Sequence, residues 1–183
     1  MNGDLVRRAQ DGDTDAFVLL VHAYGNRQFG LARRILRDFD LAEDAVQQAL
    51  VIAWRELPRL RDPDRFEAWL TRILVRCCYE AARTRRRLAL VQADGDAPEP
   101  QAIDPALAVL DRDRLDRAFR RLPAEQRAVL ALHHYVGLEP AEIADTLGIP
   151  AGTVRSRLHY AHRGMRAALE ADDRVAVAGG RPA

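Results

Sequence analysis

Apolar residues recur at intervals of three and four positions along most of this chain, which is the spacing of one buried face on a helix. The spacing runs through residues 14–38, continues through 40–57 and 65–87, and returns from about Ala106 to Leu169. No stretch of useful length alternates apolar and polar residues as a strand does. The pattern therefore predicts an all-α fold. In residues 14–38 the apolar positions are Phe17, Leu20, Val21, Tyr24, Leu31 and Ile35.

The periodic pattern is interrupted once, by the segment VQADGDAPEPQAIDP at residues 91–105. This segment is rich in Pro, Asp, Gly and Ala and has the composition of a linker. We predict two small helical domains joined by a flexible connection. Asp40, followed by Glu43, has the form of a helix-starting cap. The predicted bounds are a domain at 1–90, a linker at 91–110, a helix-turn-helix domain at 111–170 and a flexible tail at 171–183.

The helix predicted over residues 40–57 has two different faces. Its apolar face should be buried and consists of Val46, Leu50, Ala53, Trp54 and Leu57. The opposite face is polar without being basic, so it suits contact with a protein better than contact with DNA, although a solvated face is the default reading. That face consists of Asp44, Gln47, Gln48, Val51 and Arg55.

The helix predicted over residues 65–87 carries a basic face beside its apolar one. An exposed aromatic side chain among arginines suits the backbone and bases of an unpaired nucleic-acid strand. A solvated basic helix explains the same spacing equally well. The apolar face comprises Phe66, Trp69, Leu70, Ile73, Cys77 and Ala81, and the basic face comprises Arg72, Arg76, Tyr79 and Arg83.

Residues 142–158, EIADTLGIPAGTVRSRL, have the pattern of a helix-turn-helix. Gly148 suits the left-handed residue that ends a helix, and Pro150 is tolerated where the next helix begins. The second helix would bury Val154, Leu158, Ala161, Met165 and Leu169, and would expose Arg155, Ser156, His159 and Arg163. Arginines on such a helix can contact guanine edges or phosphates in a major groove. Arg157 lies beside the apolar stripe, where it could brace the fold or hold a phosphate. An ordinary helical hairpin with a solvated polar face is the alternative.

Composition limits the classes of function. The 183 residues carry a net charge of +1, and all 28 basic residues are arginine. Such a chain should bind free DNA weakly and need a partner that holds both domains. Adjacent Cys77 and Cys78 predict buried thiols rather than a disulfide or a metal site. We find no phosphate-binding glycine loop, metal cluster or activated nucleophile, so we expect no cofactor, no metal, no catalytic residue and no enzymatic activity. Neither a signal peptide nor a membrane span is recognisable, which predicts a cytoplasmic protein.

Three stretches together resemble one family. LAEDAVQQALVIAWREL, FEAWLTRIL and LPAEQRAVLALHHYVGLEPAEIADTLGIPAGTVRSRLHYA are similar to bacterial RNA polymerase sigma factors of the sigma-70 family, extracytoplasmic-function subfamily. The resemblance covers about residues 13–87 and 111–169. It implies a protein that binds core RNA polymerase, directs it to promoters and helps open the minus-10 element. The alternative is an autonomous helix-turn-helix regulator that binds duplex DNA without polymerase.

The resemblance also implies roles for individual residues. Docking on the clamp helices of the largest polymerase subunit falls to Asp44, Gln47, Gln48 and Val51. Capture of the minus-10 element falls to the segment 59–66 and to Arg72, Arg76, Tyr79 and Arg83 on the helix after it. Recognition of the minus-35 element falls to Thr153, Arg155, Ser156, Arg157, His159 and Arg163. The implied partners are core RNA polymerase (its clamp helices and flap), promoter DNA and, as a hypothesis from the family, an anti-sigma factor.

The sequence departs from the family pattern on the minus-10 helix. The family usually has Asn near the position of Arg76 and Asp near that of Glu80, and the pair Cys77-Cys78 is atypical. These differences bear on the sequence preference at the minus-10 element and leave the general role unchanged.

Overall fold

The structure is a computed structural model that describes residues 2–92 and 110–179, with side chains for residues 3–89 and 114–172. Helices dominate the described residues and no strand occurs among them, so the predicted all-α fold is confirmed. The helices are α1 (Asn2–Gln10), α2 (Thr14–Leu36), α3 (Phe39–Glu56), α4 (Phe66–Gln92), α5 (Leu110–Arg120), α6 (Ala124–Ala131), α7 (Pro140–Leu147) and α8 (Ala151–Gly179). Short 3-10 turns at Leu57–Arg59 and Pro63–Arg65 join α3 to α4, and a π-helical turn at Leu132–Val136 follows α6.

The first block of the molecule consists of α1–α4, with α3 packed against both α2 and α4. The buried face of α3 is a row of alanines, Ala42, Ala45, Ala49 and Ala53, spaced three and four residues apart. Small side chains at this spacing let the neighbouring helices approach closely. Trp54, which the sequence pattern placed in the core, is 36% exposed and has its ring 4.9 Å from that of Phe17. The alanine row fills the interface that a tryptophan would otherwise have entered.

The helix boundaries in the first block are set by aspartates and by one left-handed residue. Asp13 caps α2 by accepting a hydrogen bond from the Ala16 amide, and Arg37 ends α2 with φ 59°. The cap of α3 is Asp38, whose carboxylate accepts from the Leu41 amide at 3.0 Å. The prediction of a cap at Asp40 was therefore wrong, because the helix begins two residues earlier and its cap is Asp38. Asp40 lies in the first turn of α3, where a carboxylate also interacts favourably with the helix dipole.

The second block consists of α5–α8. Helix α8 packs on α5, α6 and α7 and buries Val154, Leu158 and Ala161, as the apolar stripe predicted. It continues to Gly179, past Leu169, so it differs from the predicted flexible tail over residues 171–179. Likewise, α4 continues to Gln92, two residues into the predicted linker. The remainder of the predicted linker, residues 93–109, and residues 180–183 of the predicted tail lie outside the described part.

The two blocks pack against each other. Helix α2 contacts α6, and α4 contacts both α6 and α7. One buried cluster joins Ile35 and Leu74 of the first block to Val129, Leu132 and Ile143 of the second. The blocks thus share a hydrophobic core in addition to the cores that each builds for itself. The helical periodicity gave no indication of this shared core.

Across residues 2–92 and 110–179, none of the helices combines the length and the apolar character that a bilayer crossing requires.

Replacing Asp38 with Ala should lower the free energy of unfolding by about 0.5–2 kcal/mol, because the first turn of α3 loses its capping acceptor. Asp38 also lies 3.6 Å from Arg85, an exposed ion pair that contributes little. The matched control is Asp40→Ala, which removes the same charge one half-turn later and should change stability less. Urea unfolding followed by circular dichroism measures both, and an equal loss for the two variants would contradict the assignment of the cap.

Candidate nucleic-acid interface

The helix-turn-helix is formed by α7, a three-residue turn and α8. Gly148 ends α7 in the left-handed conformation (φ 64°, ψ 40°), and its amide donates to the Ala144 carbonyl. The Pro150 carbonyl accepts from the amides of Thr153 and Val154 and so begins α8. The predicted roles of the glycine and the proline are confirmed. They fix the angle between the two helices and thereby the direction in which α8 presents its outer face.

The outer face of α8 carries the donors that the sequence indicated. Arg155, Ser156, His159 and Arg163 are exposed, and Thr153 is half-buried at the start of the helix. The Ser156 hydroxyl donates to the Thr153 carbonyl at 3.0 Å. Tyr160, which the sequence analysis did not select, is 56% exposed. Its position one residue after His159, off the apolar stripe, could have indicated it.

Arg157 differs from its neighbours because it turns towards the first block. It is half-buried and lies near Tyr79 of α4. Burial raises the pKa of Tyr79 to about 12, and the nearby Arg157 guanidinium opposes that rise. The Tyr79 hydroxyl is buried and makes no hydrogen bond of normal geometry. The prediction that Tyr79 is an exposed aromatic was therefore wrong, because α4 turns this side chain towards the second block.

The three arginines predicted beside Tyr79 are exposed. Arg76 lies 3.9 Å from Glu80 one turn later, with 80% of the Arg76 side chain exposed. Arg83 is exposed near the second half of α4. Arg72 lies against the turn of the helix-turn-helix, so that a Cβ on Gly148 would come within 2.8 Å of its guanidinium carbon. The three arginines of the basic face of α4 are exposed as predicted, and Tyr79 is the member of that face that the second block covers.

A cavity of about 790 Å³ separates the first half of α4 from α7. Its first-block wall is basic and aromatic and contains Arg61, Arg65, Trp69 and Arg72. Its second-block wall carries two carboxylates, those of Glu142 and Asp145. A basic wall beside an aromatic ring is suited to the backbone and bases of an unpaired strand. The carboxylates on the opposite wall would repel the phosphates of a strand lying in this cavity.

The outer face of α3 is a separate surface. Asp44, Gln47, Gln48 and Val51 are all exposed, which agrees with the sequence pattern. The exposed edge of Trp54 lies on the same helix and adds apolar area to the exposed Val51 side chain. Arg55, the fifth residue predicted on this face, is also exposed, so the surface combines amides, one carboxylate, one guanidinium and apolar groups rather than a row of basic side chains. Its composition is that of a protein-binding face.

The remaining reactive groups are sequestered or solvated. Cys77 and Cys78 are buried free thiols, and burial raises the pKa of Cys78 to about 12. The structure brings His134 and His162 together, with their Nε2 atoms 3.3 Å apart. The pKa of His134 is lowered mainly by partial burial and to a smaller extent by the nearby imidazoles of His133 and His162. In the described part of the chain, no three His, Cys, Asp or Glu side chains are grouped as a metal ion would require.

These surfaces define a helix-turn-helix DNA-binding protein with a second basic face on α4 and a separate, mixed polar and apolar face on α3. Two family models match the chain: Sigma-70 region 2 over residues 20–88 and Sigma-70, region 4 over residues 112–163. Together they span more than half of the chain. The chain therefore belongs to the sigma-70 family and, with the relatives described next, to its extracytoplasmic-function sigma factors.

Curated relatives agree over most of their length. RNA polymerase sigma-H factor of Pseudomonas aeruginosa is 33% identical over 91% of this chain and 92% of the relative. ECF RNA polymerase sigma factor SigL of Mycobacterium tuberculosis is 37% identical over 76% of this chain and 80% of the relative. ECF RNA polymerase sigma-E factor of Escherichia coli is 33% identical over 86% of this chain and 88% of the relative.

Two solved structures share the arrangement of helices. One is CnrH in complex with the cytosolic domain of CnrY, 29% identical, with a TM-score of 0.68 over 93% of this chain and 98% of that chain. The other is the sigma factor RpoE in complex with the anti-sigma factor NepR from Bartonella quintana. It is also 29% identical, with a TM-score of 0.68, and the match covers 85% of this chain and 98% of that chain. This chain accordingly binds core RNA polymerase and promoter DNA and directs promoter-specific initiation.

Proposed function

We propose that three faces of the chain divide the work of the sigma factor. The outer face of α3 docks on the clamp helices of the polymerase through Asp44, Gln47, Gln48 and Val51. The basic face of α4 holds the minus-10 strand through Arg72, Arg76 and Arg83, with Tyr79 joining once it is uncovered. The outer face of α8 contacts the minus-35 element through Thr153, Arg155, Ser156, Arg157, His159 and Arg163.

The observation that carries this proposal is the separation of the faces by chemistry. Exposed arginines also occur on other helices, but α4 and α8 carry those aligned on the two faces assigned to DNA, Arg72, Arg76 and Arg83 on α4 and Arg155 and Arg163 on α8. The α3 face has no basic residue among its four docking positions and includes Val51, which is 49% exposed. A face of that composition gains affinity by burying apolar area and pairing amides, as protein interfaces do.

The proposed roles of these residues also define the bounds of the two functional domains. We place polymerase docking and minus-10 recognition in residues 1–90 and minus-35 recognition in residues 111–170, joined by the segment 91–110. The chemistry of RNA synthesis belongs to the polymerase, so we propose that this chain is not an enzyme and acts in the cytoplasm beside its polymerase.

Promoter binding should depend on polymerase, because a chain of net charge +1 neutralises few phosphates by itself. A promoter selected from a random DNA library by the polymerase-bound protein provides the labelled probe. We expect specific binding and strand opening with core polymerase, and only weak binding by the chain alone at the same fixed salt concentration. Tight, specific duplex binding that polymerase does not change would instead establish an autonomous regulator.

Two substitutions should separate DNA reading from polymerase docking. Arg155→Ala should weaken promoter binding by the polymerase-bound protein about 5- to 150-fold, because one base contact is lost, and should leave polymerase affinity unchanged. Gln47→Ala should weaken polymerase affinity about 2- to 12-fold, the size of one hydrogen bond, and leave the promoter preference of the remaining complex unchanged. Fluorescence anisotropy with labelled polymerase and labelled promoter measures both quantities.

The controls are matched in charge and chemistry. Arg166→Ala removes the same charge from an exposed position further along α8, and Asn26→Ala removes an exposed amide from α2. Both should behave as wild type in both assays. Loss of polymerase affinity in Arg155→Ala would refute the assignment of the faces.

We also propose that an anti-sigma factor restrains this chain. Of the two solved structures described above, RpoE is bound to the anti-sigma factor NepR, and CnrH is bound to the cytosolic domain of CnrY. A tagged copy of the chain should recover, from resting cells, a protein that inhibits transcription by the reconstituted polymerase complex. Recovery of polymerase alone, with no inhibitory protein, would count against this proposal.

A further inference from the structure

Gln28 of α2 and Thr71 of α4 form a polar pair that is buried between these two helices of the first block. Gln28 is 3% exposed and Thr71 is 5% exposed. The Gln28 Nε2 atom donates to the Thr71 hydroxyl oxygen at 3.1 Å. Apart from the cysteine thiols, these are the two polar side chains that are buried among the described residues 3–89, and each is the partner of the other.

The stability of the first block does not explain this pair. The buried side chains next to it on the same two helices are apolar, among them Leu31, Leu70 and Leu74. The second polar atom of the amide, Gln28 Oε1, is buried and accepts no hydrogen bond from the described residues. A buried amide that is only half satisfied stabilises a core less than an apolar pair of the same shape would.

The pair does give the two helices a defined orientation. A hydrogen bond joins two particular atoms within a narrow range of distances and angles. Apolar side chains, in contrast, can pack in several neighbouring arrangements before stability is lost. One buried polar contact can therefore fix the register of paired helices, at a cost in stability. Gln28 and Thr71 set the rotation of α4 about its own axis relative to α2 in this way.

A second contact between α2 and α4 lies one helical turn from the first. Arg27, which precedes Gln28, donates to the Glu67 carboxylate at 2.5 Å, and Glu67 lies four residues before Thr71. Both charged side chains are substantially exposed, so this ion pair contributes little energy. Two consecutive residues of α2 thus contact two consecutive turns of α4, and both contacts are compatible with the same rotation of α4.

The rotation of α4 determines where its basic face points. Thr71 is followed directly by Arg72, and Arg76 lies one turn further on, with both arginines exposed. Successive residues of an α-helix are turned by about 100° from each other. A fixed direction for Thr71 therefore fixes the direction of Arg72 and Arg76.

We propose that Gln28 and Thr71 are positioning residues, which orient Arg72 and Arg76 for the minus-10 strand at the expense of stability in the first block. This inference rests on the proposed role of α4 in holding that strand. The pair acts through the arginines and does not touch DNA itself, because both of its side chains are buried.

An apolar replacement of similar volume separates orientation from stability. The double variant Gln28→Met/Thr71→Val should unfold at the same urea concentration as wild type or at a higher one, and should bind core polymerase with unchanged affinity. Opening of the selected promoter by its polymerase complex, followed with 2-aminopurine in the minus-10 element, should fall about 2- to 30-fold. Leu74→Met is the matched control, because it changes a buried side chain of α4 without removing a polar group, and it should open the promoter as wild type does.

Two further variants show whether the pair acts through Arg72. Thr71→Ser keeps the hydroxyl that accepts from Gln28, so its complex should open the promoter nearly as well as wild type. Arg72→Ala should lower opening in the wild-type chain, and should lower it less in the double variant, where the arginine is already misdirected. Losses that are simply additive would show that the pair does not act through Arg72 and would overturn the inference.

The remaining outcomes also decide the inference. Wild-type opening by the double variant would overturn it, and so would reduced opening together with a lower urea midpoint, because a structural defect would then explain both. If the double variant does not fold, Thr71→Val and Thr71→Ser carry the comparison at a temperature where circular dichroism shows both folded, and equal opening by the two would overturn the inference. Unchanged opening by both Arg72→Ala and Arg76→Ala in an otherwise wild-type chain would instead refute the proposed role of α4.

Discussion

The arrangement of the two blocks depends on how the Arg127 guanidinium is satisfied. A buried charge without partners costs several kcal/mol. Among the described side chains no carboxylate hydrogen-bonds to Arg127, which donates from Nε to the Ile35 carbonyl of α2 and from Nη1 to the carbonyls of Arg120 and Leu122. Its acceptors are carbonyls near the ends of α2 and α5, groups that have no partner within their own helices. The negative ends of both helix dipoles point at the same cation. One side chain therefore fixes α6 relative to α5 and, through Ile35, the second block relative to the first.

The surfaces available for binding follow from that geometry. With α6 held against α2, the neighbouring α7 lies beside α4, and the turn at Gly148 touches the exposed Arg72 side chain. The outer face of α8 points away from the interface and keeps Arg155 and Arg163 in solvent. One helix-turn-helix thus exposes the outer face of α8 while its turn and α7 lie against the first half of α4.

Helical periodicity identified most of this structure because each helix buries one continuous apolar face. The stripe in α8 and the cap at Gly148 were predicted for that reason. Trp54 was misplaced because a row of alanines fills the α3 interface and leaves the larger side chain at the edge. Tyr79 was misplaced because periodicity within one helix says nothing about which element covers its second face. Tyr135 of the π-helical turn rests on Gly30 of α2, where a Cβ would lie 3.0 Å from the ring carbon Cζ. This contact joins residues distant in sequence, and no local pattern marks it.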